Sequence, residues 1–308
     1  MLKDLFFTKA QFAIVLTLSL TAIVAVPVGL VVWGNIYSHY SVGDIVIRSN
    51  NDFTLRYNFP GQGTELDPFR IENLTISSSK EYGIYISDTT KYFIINNCSI
   101  SGVSRGIYIY NIADDTTKIE NNTITLDGVT SYTGIEINST NNVTIVNNKI
   151  QGNNNERTSY GLYVRYSDNF LTSKNNISSF NVGIYCNNFA NLVITQNNVF
   201  YNTIGIQVHS ITNILVVYNN IMFNLEYGIY SEGTTGTFHH NNFFNNLLIP
   251  KINQHKQASD QGGSSTWYDI STNHGNYWSD LSWTEEAVYV LDGYYNPKSD
   301  LYPLKYPV

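Results

Sequence analysis

The sequence predicts an all-β solenoid: a single chain coiled as a parallel β-helix, three short strands to a coil and about eight coils long, with a cap at each end. Three observations predict it. Asparagines recur at Asn73, Asn97, Asn121, Asn147, Asn175, Asn197, Asn219 and Asn241, in steps of 24, 24, 26, 28, 22, 22 and 22 residues. Glycines interleave with them at Gly83, Gly106, Gly134, Gly161, Gly183, Gly205 and Gly228. Composition agrees, with 24 Tyr and only 13% charged residues, a mixture suited to strands rather than helices. A period near 22 residues is too short for paired-helix repeats and suits one coil of a β-solenoid.

The chain divides into four parts. Residues 1–38 read as a signal anchor, because Phe12 to Trp33 is an uncharged apolar run of 22 residues, long enough to span a bilayer. Lys3 and Lys9 precede this run and no Lys or Arg follows before Arg48, so the positive-inside rule places the rest of the chain outside a cell membrane that it crosses once. A signal peptide cut after Ala25 is the alternative, and either form is exported. Residues 39–72 read as the N-terminal cap, 73–249 as the β-helix, and 250–308 as a C-terminal cap that holds Trp267, Trp278 and Trp283.

Within a coil, each Gly opens a strand such as Gly-Ile-Tyr-Ile at 83–86 and 106–109. Strand period two puts Ile84 and Ile86 on one face and Tyr85 on the other, and the aliphatic face must be the stacked interior. A polar turn follows, then a second strand such as Val143-Thr144-Ile145, then the Asn corner and a short third strand. Stacked at one corner, the asparagines would bond amide to amide along the axis. Each Gly lies 13 to 15 residues before the next ladder Asn, whereas Asn-to-Gly distances of 8 to 10 lengthen to 13 after Asn121 and 14 after Asn147. Two neighbouring coils therefore carry longer loops on one edge, at about 125–133 and 151–160, and in solenoids such an edge is often the binding face.

Several function classes are excluded or disfavoured. A net charge of −7 argues against a nucleic-acid partner. Cys98 and Cys186 sit at different positions of distant repeats, so no disulfide and no metal-type spacing is expected. No cofactor is implied, and no metal site is assigned: His239 and His240 are strand neighbours expected to point to opposite faces. Six Asn-x-Ser/Thr sequons occur; Asn73, Asn97 and Asn121 are read as inward ladder residues, leaving Asn138, Asn142 and Asn176 as the accessible ones.

The outward positions of the Gly-led strands give one row of Tyr85, Tyr108, Glu136, Tyr163, Tyr185, Gln207 and Tyr230, and another of Ser87, Tyr110, Asn138, Arg165, Asn187, His209 and Glu232. Neither row holds the adjacent carboxyl pair that a glycosidase requires, and no catalytic residue is assigned. Stacked tyrosines instead offer an aromatic strip with hydroxyls, suited to sugar rings. The candidate ligand-binding residues are Tyr108, Glu136, Tyr163, Arg165, Tyr185 and His209 on the strands, with Asp127, Glu156 and Arg157 on the long loops. Arg165 could pair bidentately with a sugar carboxylate. Tyrosine ladders also stabilise a sheet without any ligand.

Three stretches resemble a known family. The repeat unit is similar to the right-handed parallel β-helix repeat of carbohydrate-binding and sugar-hydrolase domains. The segment Gly61-Gln62-Gly63-Thr64-Glu65-Leu66-Asp67-Pro68-Phe69-Arg70-Ile71-Glu72-Asn73 looks like the start of NosD-type archaeal surface proteins. Residues 262–267 (GGSSTW), 275–280 (GNYWSD), Val290-Leu291-Asp292-Gly293 and Asp300-Leu301-Tyr302-Pro303-Leu304 resemble, in order and spacing, the C-terminal cap of the NosD-like family. The resemblance covers about 41–308 and implies right-handed coils on a surface protein. Where many relatives carry an Asp-Gly-rich run, residues 281–287 read Leu-Ser-Trp-Thr-Glu-Glu-Ala, so calcium is not carried over. The family name implies a copper-enzyme accessory role, which no residue here supports.

The sequence therefore favours a membrane-anchored surface protein that binds a polysaccharide or glycoprotein. A polysaccharide lyase or hydrolase, a structural spacer and a copper-related accessory protein are the alternatives.

Overall fold

The computed structural model describes residues 41–127, 131–153, 158–248, 256–293 and 298–308. The predicted span at Phe12–Trp33 lies outside these residues, and no helix among the described residues is long and apolar enough to cross a membrane. The chain forms a right-handed parallel β-helix of about seven turns. A 10-stranded sheet stacks the third strand of every coil, and a 16-stranded sheet carries the first and second strands. The stacks of first and second strands join into this one sheet because Val182–Thr195 and Ile204–Val217 pair through the turn between them.

The Gly-led strands stack in strict parallel register, with Ile84 opposite Ile107, Ile107 opposite Ile135, and so on through Leu162, Ile184, Ile206 and Ile229. All seven side chains are fully buried. Removing such a column from water supplies about 1.5–3 kcal/mol for each aliphatic side chain. The glycines are dictated by the same stacking. A Cβ on Gly106 would stand 2.5 Å from the Gly134 carbonyl oxygen and 2.6 Å from Ile124 Cγ2, and one on Gly134 would stand 2.3 Å from Ile150 Cγ2. Here the backbone turns so tightly across the third strand that no side chain fits.

The asparagine periodicity resolves into two ladders, not one. Asn122, Asn148, Asn175, Asn197, Asn219, Asn241 and Asn276 line the interior, and each of the first six has its backbone N–H and Nδ2 donating to Oδ1 of the next at 2.8–3.1 Å. Asn73, Asn97, Asn121 and Asn147 sit one residue earlier, at the outside of the corner, with φ of 51–59°. They form a separate outer ladder, in which Asn97 Nδ2 donates to Asn73 Oδ1 at 2.7 Å, Asn121 Nδ2 to the neighbouring Asn96 Oδ1 at 2.9 Å and Asn147 Nδ2 to Asn121 Oδ1 at 2.6 Å. The sequence reading slips from the outer to the inner set between Asn147 and Asn175, because both positions are asparagine in two coils, at 121–122 and 147–148. Asn tolerates the left-handed conformation that the outer corner demands, and an inner Asn supplies the acceptor and donors that buried corner backbone needs. The sequons are corrected accordingly: Asn97 and Asn121 are exposed, while Asn138 is buried.

Parallel pairing extends past 73–249 on both sides. Ile45–Ile47 pairs with Ile84–Ile86, and Phe69–Glu72 with Phe93–Asn96, so the predicted N-terminal cap already contains a coil. Between them, one π-helical turn at Asp52–Arg56 lays Phe53 over the open end, 4.7 Å from the Phe69 ring. At the other end, Ala258–Gln261, Ser264–Thr266 and Tyr277–Trp278 add a further coil. Trp267 stacks on Phe238 at 4.5 Å, and Trp278 lies between Phe243 at 4.0 Å and Tyr289 at 3.9 Å. The inner ladder stops at the buried Asp300, whose Oδ2 accepts from Asn276 N at 2.6 Å and from Trp278 Nε1 at 2.9 Å. Burial raises this carboxyl to about 6, so at neutral pH it meets the last donors as an anion.

The two ladders differ in what they leave behind when broken. Asn197→Leu leaves the buried N–H and Nδ2 of Asn175 without their acceptor and removes the Nδ2 donor to the Thr172 and Thr195 carbonyls. Unmet buried groups cost about 1–3 kcal/mol each, so the urea midpoint falls clearly. Asn97→Gly, on the exposed corner where glycine accepts the left-handed φ of 51°, shifts stability by about 0.5 kcal/mol or less. Equal effects would reverse the assignment of inside and outside.

Candidate ligand-binding face

Six predicted residues fall on adjacent rungs of the Gly-led sheet. Tyr108, Glu136, Tyr163, Tyr185 and Gln207 are direct register neighbours, as are Asn138, Arg165, Asn187 and His209. The predicted continuous aromatic strip is divided in two. Tyr82, Tyr85, Tyr108 and Tyr110 form one cluster, with ring centroids 5.0–6.3 Å apart and the Tyr85–Tyr108 pair edge-to-face. Tyr160, Tyr163, Tyr185, His209 and Tyr230 form the other, with Tyr163 and Tyr185 stacked at 5.1 Å. Glu136 stands between them.

Glu136 is only 4% exposed and bridges two guanidiniums. Arg105 Nε lies 3.1 Å from Oε2, and Arg165 Nη2 lies 3.6 Å from Oε1. Arg105 also donates to Glu81 at 2.8 Å and to the Tyr82 hydroxyl at 3.0 Å, with its guanidinium 5.4 Å from the Tyr108 ring centroid. Arg165 sits over Tyr163 at 5.3 Å. Burial raises the Glu136 carboxyl above its usual range although both arginines pull it down. Burial also raises the phenols of Tyr108, Tyr160 and Tyr185, which therefore stay protonated at neutral pH.

A cavity of about 250 Å³ opens over this centre, lined by Arg105, Ser131, Thr133, Glu136, Thr158, Tyr160, Tyr163 and Arg165. The two lengthened loops build its rim. Tyr132 ties them together: it is buried against Phe180, its hydroxyl donates to Asn153 Oδ1 at 2.6 Å, and it accepts from Asn153 N at 3.1 Å. The sequence reading missed Arg105, Ser131, Thr133 and Thr158 as site residues. The signal was present: the residue before each Gly makes a third outward row of Tyr82, Arg105, Thr133 and Tyr160. Strict alternation from the Gly hid it, because the bend there turns both the Gly and its successor inward. Of the loop candidates, Asp127 is exposed and does not line the cavity, and Glu156 and Arg157 lie outside the described residues. Among the described residues Glu136 is the one carboxyl lining it.

The expectation that His239 and His240 point apart is overturned. His240 takes a φ of 53° at the corner, which breaks the alternation and brings the two Nδ1 atoms within 2.6 Å. No group of three or more His, Cys, Asp or Glu placed to hold a metal occurs among the described residues. Both cysteines are free and buried, and burial pushes the Cys98 thiol up to about 12, a structural and unreactive state.

The model of the right handed beta helix region family matches residues 34–128 and 125–259. No curated protein is matched. Similar solved structures include the A-module of mannuronan C-5 epimerase AlgE6 from Azotobacter vinelandii, at 13% identity over 65% of this chain and 66% of that one, with a TM-score of 0.45. Others are the Dettilon tailspike protein, at 12% over 75% and 59% with a TM-score of 0.37, and the periplasmic alginate epimerase AlgG, at 11% over 75% and 74% with a TM-score of 0.29. This chain spans just under two thirds of the AlgE6 module and less of the tailspike. At these scores the likeness is one of coiled strands alone.

The raised carboxyl of Glu136 sets the sign of a pH effect. A folded-state value above the unfolded one means that the native chain binds the proton more tightly, so this contribution to stability is full in acid and is lost as pH rises through the folded value. The stability of the native chain minus that of Glu136→Gln therefore falls as pH rises above the ordinary glutamate range, about pH 4, as read from paired urea titrations. A difference independent of pH would refute it.

Proposed function

This chain belongs to the right-handed β-helix family, and from that premise we propose that it is a NosD-like surface protein that binds glycan on its Gly-led face. Residues 12–33 anchor it in the cell membrane, and the solenoid stands outside. The observation that carries the binding reading is the central cavity itself. Two aromatic clusters flank it, hydroxyls of Ser131, Thr133 and Thr158 rim it, and Arg105 and Arg165 supply charged donors. Aromatic faces beside a few convergent polar groups are what a sugar ring needs, since one face of a pyranose is apolar and its edge is all hydroxyl. The coil spacing of about 4.8 Å is close to the length of a sugar residue, so a linear glycan lying along the axis meets a new rung with each residue.

The reading of a glycoside hydrolase would need a second carboxyl opposite Glu136, and none lines the cavity among the described residues.

Affinity electrophoresis of the full chain through gels cast with individual polysaccharides tests the proposal. Native protein is retarded by at least one of them, and Tyr163→Ala weakens that retardation about tenfold, the equivalent of roughly 1.4 kcal/mol. Tyr201→Ala, on an exposed corner of another face, leaves it unchanged. Retardation that survives Tyr163→Ala undiminished would remove the site, and migration unaffected by any polysaccharide would remove the function.

A further inference from the structure

The two arginines beside Glu136 are satisfied to very different degrees. Arg105 bonds Glu81, the Tyr82 hydroxyl and Glu136. Arg165 comes no nearer than 3.6 Å to Glu136, its side chain makes no hydrogen bond among the described residues, and its Nε is buried without a partner. A guanidinium carries five N–H donors in a fixed fork that matches a carboxylate. Leaving such donors unmade in a half-buried position is costly. The same side chain lines the cavity and remains 37% exposed, with its guanidinium 5.3 Å from the Tyr163 ring centroid.

Among the described residues, the charge around the cavity is balanced before any ligand arrives. Arg105 and Arg165 oppose Glu136 and Glu81. Among the described residues, the other titratable groups facing Glu136 are phenols: Tyr82 and Tyr108 from the preceding coils, and Tyr160 and Tyr163 from the next. An incoming anion therefore leaves one negative charge uncompensated unless a proton enters with it. Glu136 is the group placed to receive that proton, because it is nearly sealed from water and adjoins the guanidinium that the anion would engage.

Resting on the glycan reading, we propose that the cavity takes a hexuronate residue of an acidic polysaccharide, its carboxylate on the Arg165 guanidinium, and that Glu136 takes up a proton as it binds. The atoms balance simply: one proton passes from buffer to a Glu136 carboxyl oxygen, and Arg165 exchanges its long contact with Glu136 for the sugar carboxylate. The upward displacement that burial imposes on Glu136 is in the direction this requires. Affinity accordingly rises as pH falls from 7 toward 5.

Isothermal titration of the full chain with oligogalacturonate, and with the same oligomer as its neutral methyl ester, tests this in two buffers of different ionisation enthalpy. The acid is expected to bind at least about tenfold more tightly than the ester, with a heat that differs between buffers in the sense of proton uptake. Arg165→Gln removes the preference for the acid. Glu136→Gln binds the acid with an affinity independent of pH and a heat independent of buffer. If acid and ester bind alike, the glycan reading stands and the acidic-sugar proposal falls. If the acid binds without buffer dependence in the native chain, the proton uptake falls whatever the variants do. If neither probe binds but a neutral polysaccharide retards the protein, only the proposal is lost; if nothing binds, both are.

Discussion

The solenoid depends on satisfying buried backbone at a corner where no sheet can do so. Between the second and third strands the chain turns through a left-handed residue, and the next residue's amide points into the dry interior. The inner asparagine answers it from the following coil, accepting that N–H on Oδ1 while its own Nδ2 bonds carbonyls of its own and the preceding coil. Every amide in the column points the same way, so each bond polarises the next. The column needs an acceptor where it runs out, and the buried carboxylate of Asp300 supplies it. The cap residues that carry the family resemblance are thus the ladder's last rung and its aromatic cover: Asn276 continues it, Trp278 closes over the core, and Asp300 holds both.

Strict register turns a one-dimensional repeat into surface chemistry. Side chains at equivalent positions stand one strand spacing apart whatever they are, so a substitution in one coil is placed directly against those above and below. Tyrosine recurs because neighbouring rings support each other. Glu136 interrupts that row, and the interruption is tolerated only because Arg105 and Arg165 project from the flanking coils to meet it. The break falls on the coils with lengthened loops, so the ionic centre and the cavity rim share one place on the axis.

Much of this was legible in the residues. The Gly ladder showed where backbones pass most closely, the aliphatic alternation showed the interior, and the unequal Asn-to-Gly spacing marked the coils that build the cavity. What failed was always a one-residue matter. Asn147 and Asn148 are identical in type yet lie on opposite sides of the wall, and periodicity alone cannot choose between them. Arg105 was overlooked because alternation was counted through a glycine where the chain bends. Strand alternation would separate His239 from His240, and the left-handed corner at His240 suspends it.

The sequence by itself determined the architecture, since a repeat that stacks the same residue on itself fixes coil length, interior and register together. Only the tertiary structure decided which asparagine faces inward, that Glu136 is shared by two arginines, and that Arg165 is left with unmet donors. Those outcomes depend on backbone dihedrals at corners and on contacts between residues more than twenty positions apart, and neither is written in a residue's type. A period tells how often the chain returns, whereas the side to which each residue turns on returning is set by the strand packed against it.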